Sequence, residues 1–165
     1  MDTKILVKKI SANATVPKFN HDDDAGADLY SAEKLVLEPH KRALVRTDIA
    51  VQVMEIKTPL ERFIDWLFDN KWKYYFKIED TSGNAYKKGT RTLAGVVDQS
   101  YTGNVGVILY NTSDVPIEIN VGDKIAQMIL HKVPWVSSIN AVEELQETVR
   151  GDKGYGSSGS IGDKK

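Results

Sequence analysis

Alternating apolar and polar residues, interrupted by short turns, run through most of this chain. The stretch Ile49-Ala50-Val51-Gln52-Val53 shows the period of two, and Asn111-Thr112-Ser113-Asp114 and Asn120-Val121-Gly122-Asp123 are turn-rich interruptions. A period of two places successive side chains on opposite faces of a strand, while Gly, Asn, Asp and Pro supply turns. The pattern predicts strands over residues 4–10, 36–38, 43–53, 74–78, 92–97, 105–110, 116–119 and 125–133. The runs 92–97 and 105–110, with Asp98-Gln99-Ser100-Tyr101-Thr102-Gly103 between them, read as a β-hairpin. Many short strands at this spacing indicate an all-β barrel or sandwich.

One segment has helical period instead. Thr58-Pro59-Leu60-Glu61 places Thr at the N-cap, Pro at the first helical position and Glu three residues after the cap, a capping box. Leu60, Phe63, Ile64, Leu67 and Phe68 then share one face, with Glu61, Arg62, Asp65 and Asp69 on the other. This predicts a short amphipathic helix from residue 59 to about 71 whose apolar stripe packs on the barrel. Trp66 and Trp72 add aromatic surface beyond the stripe, which leaves docking of a protein partner as the alternative.

Bulk properties narrow the function. The 165 residues suit one domain with a real core, and the net charge of -1 gives no electrostatic footprint for nucleic acid or an anionic membrane. No apolar run reaches membrane-spanning length, and the N-terminus lacks a signal-peptide core, so an intracellular, cytoplasmic protein is expected (host cytoplasm for a viral source). Without Cys there are no disulfides, thiolate metal sites or Cys nucleophiles. His21, His40 and His131 lack metal-ligand spacing.

Several segments carry chemistry. Asp98 closes an apolar run, where partial desolvation makes a carboxylate a useful base, and Tyr101 follows three residues later. The acidic run His21-Asp22-Asp23-Asp24 reads as a solvated loop, but Asp28, between small Ala-Gly-Ala and apolar Leu29, reads as held in place. One such carboxylate suits Mg²⁺ when phosphates and waters complete the shell. Thr81-Ser82-Gly83-Asn84-Ala85 reads as a turn with small donors, and Gln127 needs a hydrogen-bond partner amid apolar neighbours. From Arg150 to the end the chain turns to Gly and Ser, the composition of a flexible arm. Its Gly154-Tyr155-Gly156-Ser157-Ser158-Gly159 is a literal GxGxxG with no helix to follow, so it is no dinucleotide fingerprint. Backbone N–H groups, the two Ser hydroxyls and Arg150 suit a mobile phosphate grip instead, with Tyr155 as a flat surface for a planar base.

Taken in order, these segments resemble the five motifs of the homotrimeric deoxyuridine triphosphatase (dUTPase) family over nearly the whole chain. Asp24-Ala25-Gly26-Ala27-Asp28-Leu29-Tyr30 resembles the first motif and Gly95-Val96-Val97-Asp98-Gln99-Ser100-Tyr101 the third. Gly122-Asp123-Lys124-Ile125-Ala126-Gln127 resembles the fourth, and Arg150-Gly151 with residues 154–159 the fifth. The resemblance implies a dUTPase-like β-barrel or jelly roll (β-clip), residues 1–149, carrying one inserted helix, with residues 150–165 as the closing arm. It implies hydrolysis of dUTP to dUMP and pyrophosphate with Mg²⁺, in a homotrimer whose arm reaches a neighbouring subunit. Asp98 would activate the water, and Tyr101 would stack beneath the deoxyribose. The backbone around Thr92, Gly95 and Val97 would read uracil and exclude a 5-methyl group. Asp28 would orient a metal-bound water, Ser82, Gly83 and Gln127 would meet the phosphates, and Arg150, Tyr155, Ser157 and Ser158 would close over the nucleotide.

Two departures stand out. The second motif falls on Asp80-Thr81-Ser82-Gly83, where the family usually has Pro-Arg-Ser-Gly, so a phosphate-site cation is missing. Lys77, Lys87, Lys88 and Arg91 are near in sequence. The capped helix stands where the family has a short turn. The competing readings are a nucleotide-sensing regulatory protein that docks a partner through that helix, and a deoxycytidine triphosphate deaminase, which shares the fold. Asp98 and the complete arm favour the hydrolase.

Overall fold

The computed structural model describes residues 2–68 and 71–152. The chain divides into two compact units, 1–135 and 136–165. In the first unit the strands are β1 (Asp2–Lys9), β2 (Ala27–Tyr30), β3 (Leu35–Leu37), β4 (Arg42–Arg46) and β5 (Ile49–Ile56). Helix α1 (Pro59–Leu67), strand β6 (Trp72–Glu79) and helix α2 (Ser82–Lys88) come next. Strands β7 (Thr90–Leu93), β8 (Val96–Asp98), β9 (Gly106–Asn111), β10 (Ile117–Ile119) and β11 (Lys124–Pro134) complete it. They pair antiparallel in the orders β2-β11-β6-β8, β4-β9-β7, β1-β5 and β10-β3. This is the all-β architecture that the alternation predicts.

Alternation decides what is buried. Phe76 and Ile78 of β6, Val107 and Leu109 of β9, Leu29, Val45 and Met128 form one core, and the residues between them face outward. Asn111 is wholly buried yet satisfied: its amide donates to Leu37 O (3.0 Å) and Val115 O (2.8 Å), and its Oδ1 accepts from Ser113. It ties the end of β9 to β3.

Besides β2, which the alternation does not predict, and the extent of α1, three elements depart from the sequence reading. The run 43–53 is two strands in different sheets, because the chain turns at Asp48, whose φ is +51°. The run 92–97 also breaks. β7 pairs with β9 (Leu93 opposite Ile108), whereas β8 pairs with β6 (Val97 opposite Phe76), so the second half of the expected hairpin is not formed. Ala94 makes the break at φ +53°, and Gly95 O then accepts the Ile78 N–H at 2.7 Å. The third difference is α2, a seven-residue helix over what reads as a turn.

Helix α1 begins as its sequence requires. Glu61 N–H donates to Thr58 Oγ1 (3.2 Å) and Thr58 N–H donates to Glu61 Oε2 (2.8 Å). It ends at Leu67, with Phe68 as C-cap, short of residue 71. Its stripe is not seated on the barrel: Leu60 is 66% exposed, Trp66 76% and Phe68 72%, with Phe63, Ile64 and Leu67 also exposed. The polar side provides the attachment. Asp65 Oδ2 lies 3.0 Å from Lys57 Nζ, which lies 2.6 Å from Glu55 Oε2, and the Tyr74 hydroxyl donates to the other Glu55 oxygen. The two carboxylates hold the Lys57 ammonium above its ordinary pKa, and burial followed by Glu55 raises that of Tyr74.

In the second unit, the described residues 136–152 form no helix or strand. Val136, Ile139, Val142, Leu145 and Val149 are all exposed.

Two stability predictions follow from these contacts. A Cβ on Gly95 would lie 2.3 Å from the Ile78 carbonyl oxygen, a backbone atom with nowhere to move. Gly95→Ala is expected to cost about 2 kcal/mol or more in denaturant unfolding. On α1, Phe63→Ser or Trp66→Ser is expected to change stability by less than about 0.5 kcal/mol. Lys57→Ala leaves two half-buried carboxylates without their shared cation and should cost about 1–3 kcal/mol. The opposite ranking would mean that the stripe is packed.

Candidate active site

Asp98 ends β8, opposite Tyr75 of β6, with its side chain exposed on the outer face of the sheet. Because β8 has β6 on one side and is the last strand of its sheet, its other edge is open. Beside it lies a cleft of about 450 Å³, lined by Ala94, Val96, Val97, Asp98, Tyr101 and Asn104 among others. That volume suits a nucleoside-sized ligand.

Tyr101 is fixed at the cleft by its surroundings. Its N–H donates to Asp98 O at 3.0 Å, and its hydroxyl donates to Asn104 O at 2.9 Å. A Cβ on Gly103 would come within 2.7 Å of the ring, so the ring lies close against a residue without a side chain. Asn104 is anchored in turn, its Nδ2 donating to Asp48 Oδ1 at 2.8 Å. The neighbouring Ser11 and Asn104 side chains hold the Asp48 carboxyl below its ordinary pKa. Thr47 donates its hydroxyl to Val105 O, which secures the next residue. The Asp98–Tyr101 turn is thus braced from the turn between β4 and β5.

A second group gathers around Gln127, at one register across three strands. Gln127 of β11 faces Asp28 on β2 and Glu79 on β6. Its Nε2 donates to Asp80 O at 2.8 Å, which satisfies the partner requirement of a polar residue in an apolar strand. Gly26 makes room for this, since a Cβ there would lie 2.8 Å from Gln127 Oε1. Asp28 is buried, and both of its polar partners sit on Oδ2: Asn20 Nδ2 at 2.6 Å and Lys124 Nζ at 3.2 Å. Burial, and then the Asp28 charge, raise the Tyr30 hydroxyl pKa, with Lys124 opposing. Ser82 and Gly83 open α2 and are exposed, with nothing within 4 Å of a Cβ on Gly83. The Asp80 carboxylate accepts the Thr92 N–H, so the second motif is bonded to β7.

The structure therefore pairs Asp28 with Gln127 and ties Gln127 to Asp80, two residues before Ser82 and Gly83, while Gly95, Val97, Asp98 and Tyr101 lie around β8. Thr92 lies on β7 between the two groups. Arg150 is exposed in the second unit, and Tyr155, Ser157 and Ser158 lie outside the described residues. The sequence reading passed over Asp48, Asn104, Asn20 and Lys124. Asp48 had a usable signal, since Arg46-Thr47-Asp48 interrupts the alternation of the run 43–53 with polar residues.

Comparison with known proteins bears on the family and the fold. Residues 70–159 match the family model described as dUTPase. The chain is 37% identical over 159 residues to deoxyuridine 5'-triphosphate nucleotidohydrolase of Kluyveromyces lactis, covering 96% of each. It is 39% identical to the probable enzyme of that name from Schizosaccharomyces pombe, covering 93% of this chain and 97% of the relative. Its fold is similar to a mutant of the Staphylococcus bacteriophage 80alpha dUTPase with dUpNHpp: TM-score 0.78, 30% identity, 95% of this chain and 99% of that one. With the motifs, the fold and these similarities in agreement, the chain belongs to the dUTPase family.

Proposed function

We propose that this dUTPase hydrolyses dUTP to dUMP and pyrophosphate with Asp98 as general base. One observation carries the reading: an exposed carboxylate at an open strand end shares a turn and a cleft with a tyrosine ring fixed through its hydroxyl. Asp98 accepts a proton from a water whose oxygen attacks the α-phosphorus; the bond to the bridging oxygen breaks and pyrophosphate leaves. Tyr101 stacks beneath the deoxyribose and leaves no room for a 2'-hydroxyl. The open edge of β8, with Thr92, Gly95 and Val97 around it, hydrogen-bonds the uracil and excludes a 5-methyl group. Ser82, Gly83 and Gln127 receive the phosphates. Arg150, Tyr155, Ser157 and Ser158 belong to an arm, residues 150–165, that closes over the nucleotide and excludes water.

Magnesium fits this donor set as a guest of the substrate. Among the described residues no group of three or more His, Cys, Asp or Glu could hold a metal ion, so the triphosphate brings it. Asp28 keeps Oδ1 apart from the partners on its Oδ2 and would take a hydrogen bond from a metal-bound water. When bound, the ion neutralises phosphate charge in the transition state.

Spacing supports the homotrimer that the family resemblance implies. Along β6, Asp98 stands opposite Tyr75 and Gln127 opposite Glu79, on strands to either side. Four residues along and two strands across is about 15 Å, too far for both to act at one phosphate. Sites shared between subunits remove the conflict, and the exposed apolar series Val136, Ile139, Val142, Leu145 and Val149 supports an arm that reaches a neighbour. Among the described residues no helix is long and apolar enough to cross a membrane, and we assign the enzyme to the cytoplasm with its nucleotide substrate. The outward face of α1 supports a protein-contact role for that insertion, separate from the chemistry.

Pyrophosphate release from dUTP, dTTP, UTP and dCTP with Mg²⁺ tests the reading. Turnover of dUTP alone is expected, with Asp98→Asn lowering kcat by about a hundredfold or more and leaving KM within about threefold. Tight dUTP binding without turnover by the native chain would make it a nucleotide-sensing binder instead.

A further inference from the structure

The triphosphate side of the site is short of positive charge. Asp28 and Asp80 are both acids, Gln127, Ser82 and Thr81 are neutral, and Lys124 is engaged at 3.2 Å by Asp28. A fully ionised triphosphate carries about four negative charges, of which one Mg²⁺ offsets two and Arg150 of the closing arm one, which leaves room for a further cation beside the second motif. Arg91 is placed to provide it. It lies on β7, 70% exposed, and its Nε faces Asp80 Oδ2 at 3.7 Å. The side chain is mostly exposed, and a guanidinium presents five donors in a fixed fork, more than one carboxylate oxygen can use.

Asp80 is itself held rigidly. Its carbonyl accepts from Gln127 Nε2 at 2.8 Å, and its other carboxylate oxygen accepts from Thr92 N–H. The carboxylate that orients Arg91 is therefore continuous with the side chain expected at the phosphates and adjoins Thr81-Ser82.

We propose that Arg91, oriented by Asp80, is the phosphate-binding cation of the second motif and replaces the arginine that position 81 lacks. Asp80 and Thr81 are then one change: the acid at 80 is the counter-ion that recruits a cation from β7, so position 81 no longer supplies one. A bidentate guanidinium on the β- or γ-phosphate, with Nε kept on Asp80, uses the two ends of the fork for two tasks. The proposal rests on the reading that Ser82 and Gln127 receive the triphosphate.

Steady-state kinetics of the full chain with dUTP, with dUMP as competitive inhibitor, tests it. Arg91→Gln is expected to raise KM for dUTP by about ten- to a hundredfold. Inhibition by dUMP, which lacks the outer phosphates, should shift less than about threefold. Arg91→Lys keeps the charge without the fork and should fall between, and Thr81→Arg added to Arg91→Gln should recover most of the loss. Thermal melting of each variant reports folding separately. A KM for dUTP unchanged in Arg91→Gln, with Ser82→Ala and Gln127→Ala impaired, overturns the role of Arg91 alone. If those two variants are also unimpaired, the phosphate-site reading itself fails. Equal losses for dUTP and dUMP, or no rescue by Thr81→Arg, would also contradict the proposal.

Discussion

The site depends on one close backbone approach, that of Gly95 to Ile78. The carbonyl of Gly95 accepts the Ile78 N–H at 2.7 Å, and a methyl group on Gly95 would overlap the Ile78 carbonyl oxygen at 2.3 Å. With this contact made, an apolar run that would otherwise continue alongside β9 crosses to β6. The crossing leaves β8 with an open edge and puts Asp98 on the outer face of a four-stranded sheet. Without it, residues 96–98 would extend the β7–β9 hairpin and the cleft would close. Loss of a hairpin pairing is thus what leaves β8 with an open edge.

The two functional groups are positioned differently. The Asp98–Tyr101 turn is braced by polar contacts with the turn between β4 and β5, through Asn104 to Asp48 and Val105 to Thr47. The Gln127 group is held within its own sheet, by register across β2, β11 and β6 and by a side-chain bond to Asp80 O. Both arrangements bury a carboxylate, Asp48 in one and Asp28 in the other, and leave Asp98 exposed and Gln127 half-buried, which favours preorganisation over flexibility.

Much of this was legible in the sequence. Alternation located most strands within one or two residues, and the capping box at Thr58 placed the start of α1 correctly. The identity of the site came from motif resemblance, since a lone Asp at a strand end or a lone Gln in a strand has too many ordinary explanations. Sequence pattern failed where a tertiary contact overrides it. Nothing local in Thr92–Val97 announces a change of sheet, because the reason is Ile78, seventeen residues before Gly95. The stripe of α1 misled for a similar reason: periodicity identifies an apolar face but not which face is attached, and here Lys57 draws the polar side inward. Arg91 could be named from the sequence but not placed, because its link to Asp80 depends on β7 running back past the second motif.

The central claim is that Asp98 and Gln127, about 15 Å apart within one chain by strand geometry, serve one active site supplied by different subunits. Subunit mixing tests it most directly. Asp98→Asn and Gln127→Ala chains, each inactive or nearly so alone, are unfolded together, refolded as a mixture and assayed with dUTP. Composite sites predict recovery of about a quarter of native activity, because random assembly pairs an intact Asp98 with an intact Gln127 in that share of sites. Activity no higher than the average of the separate variants would place the whole site within one chain and contradict the account.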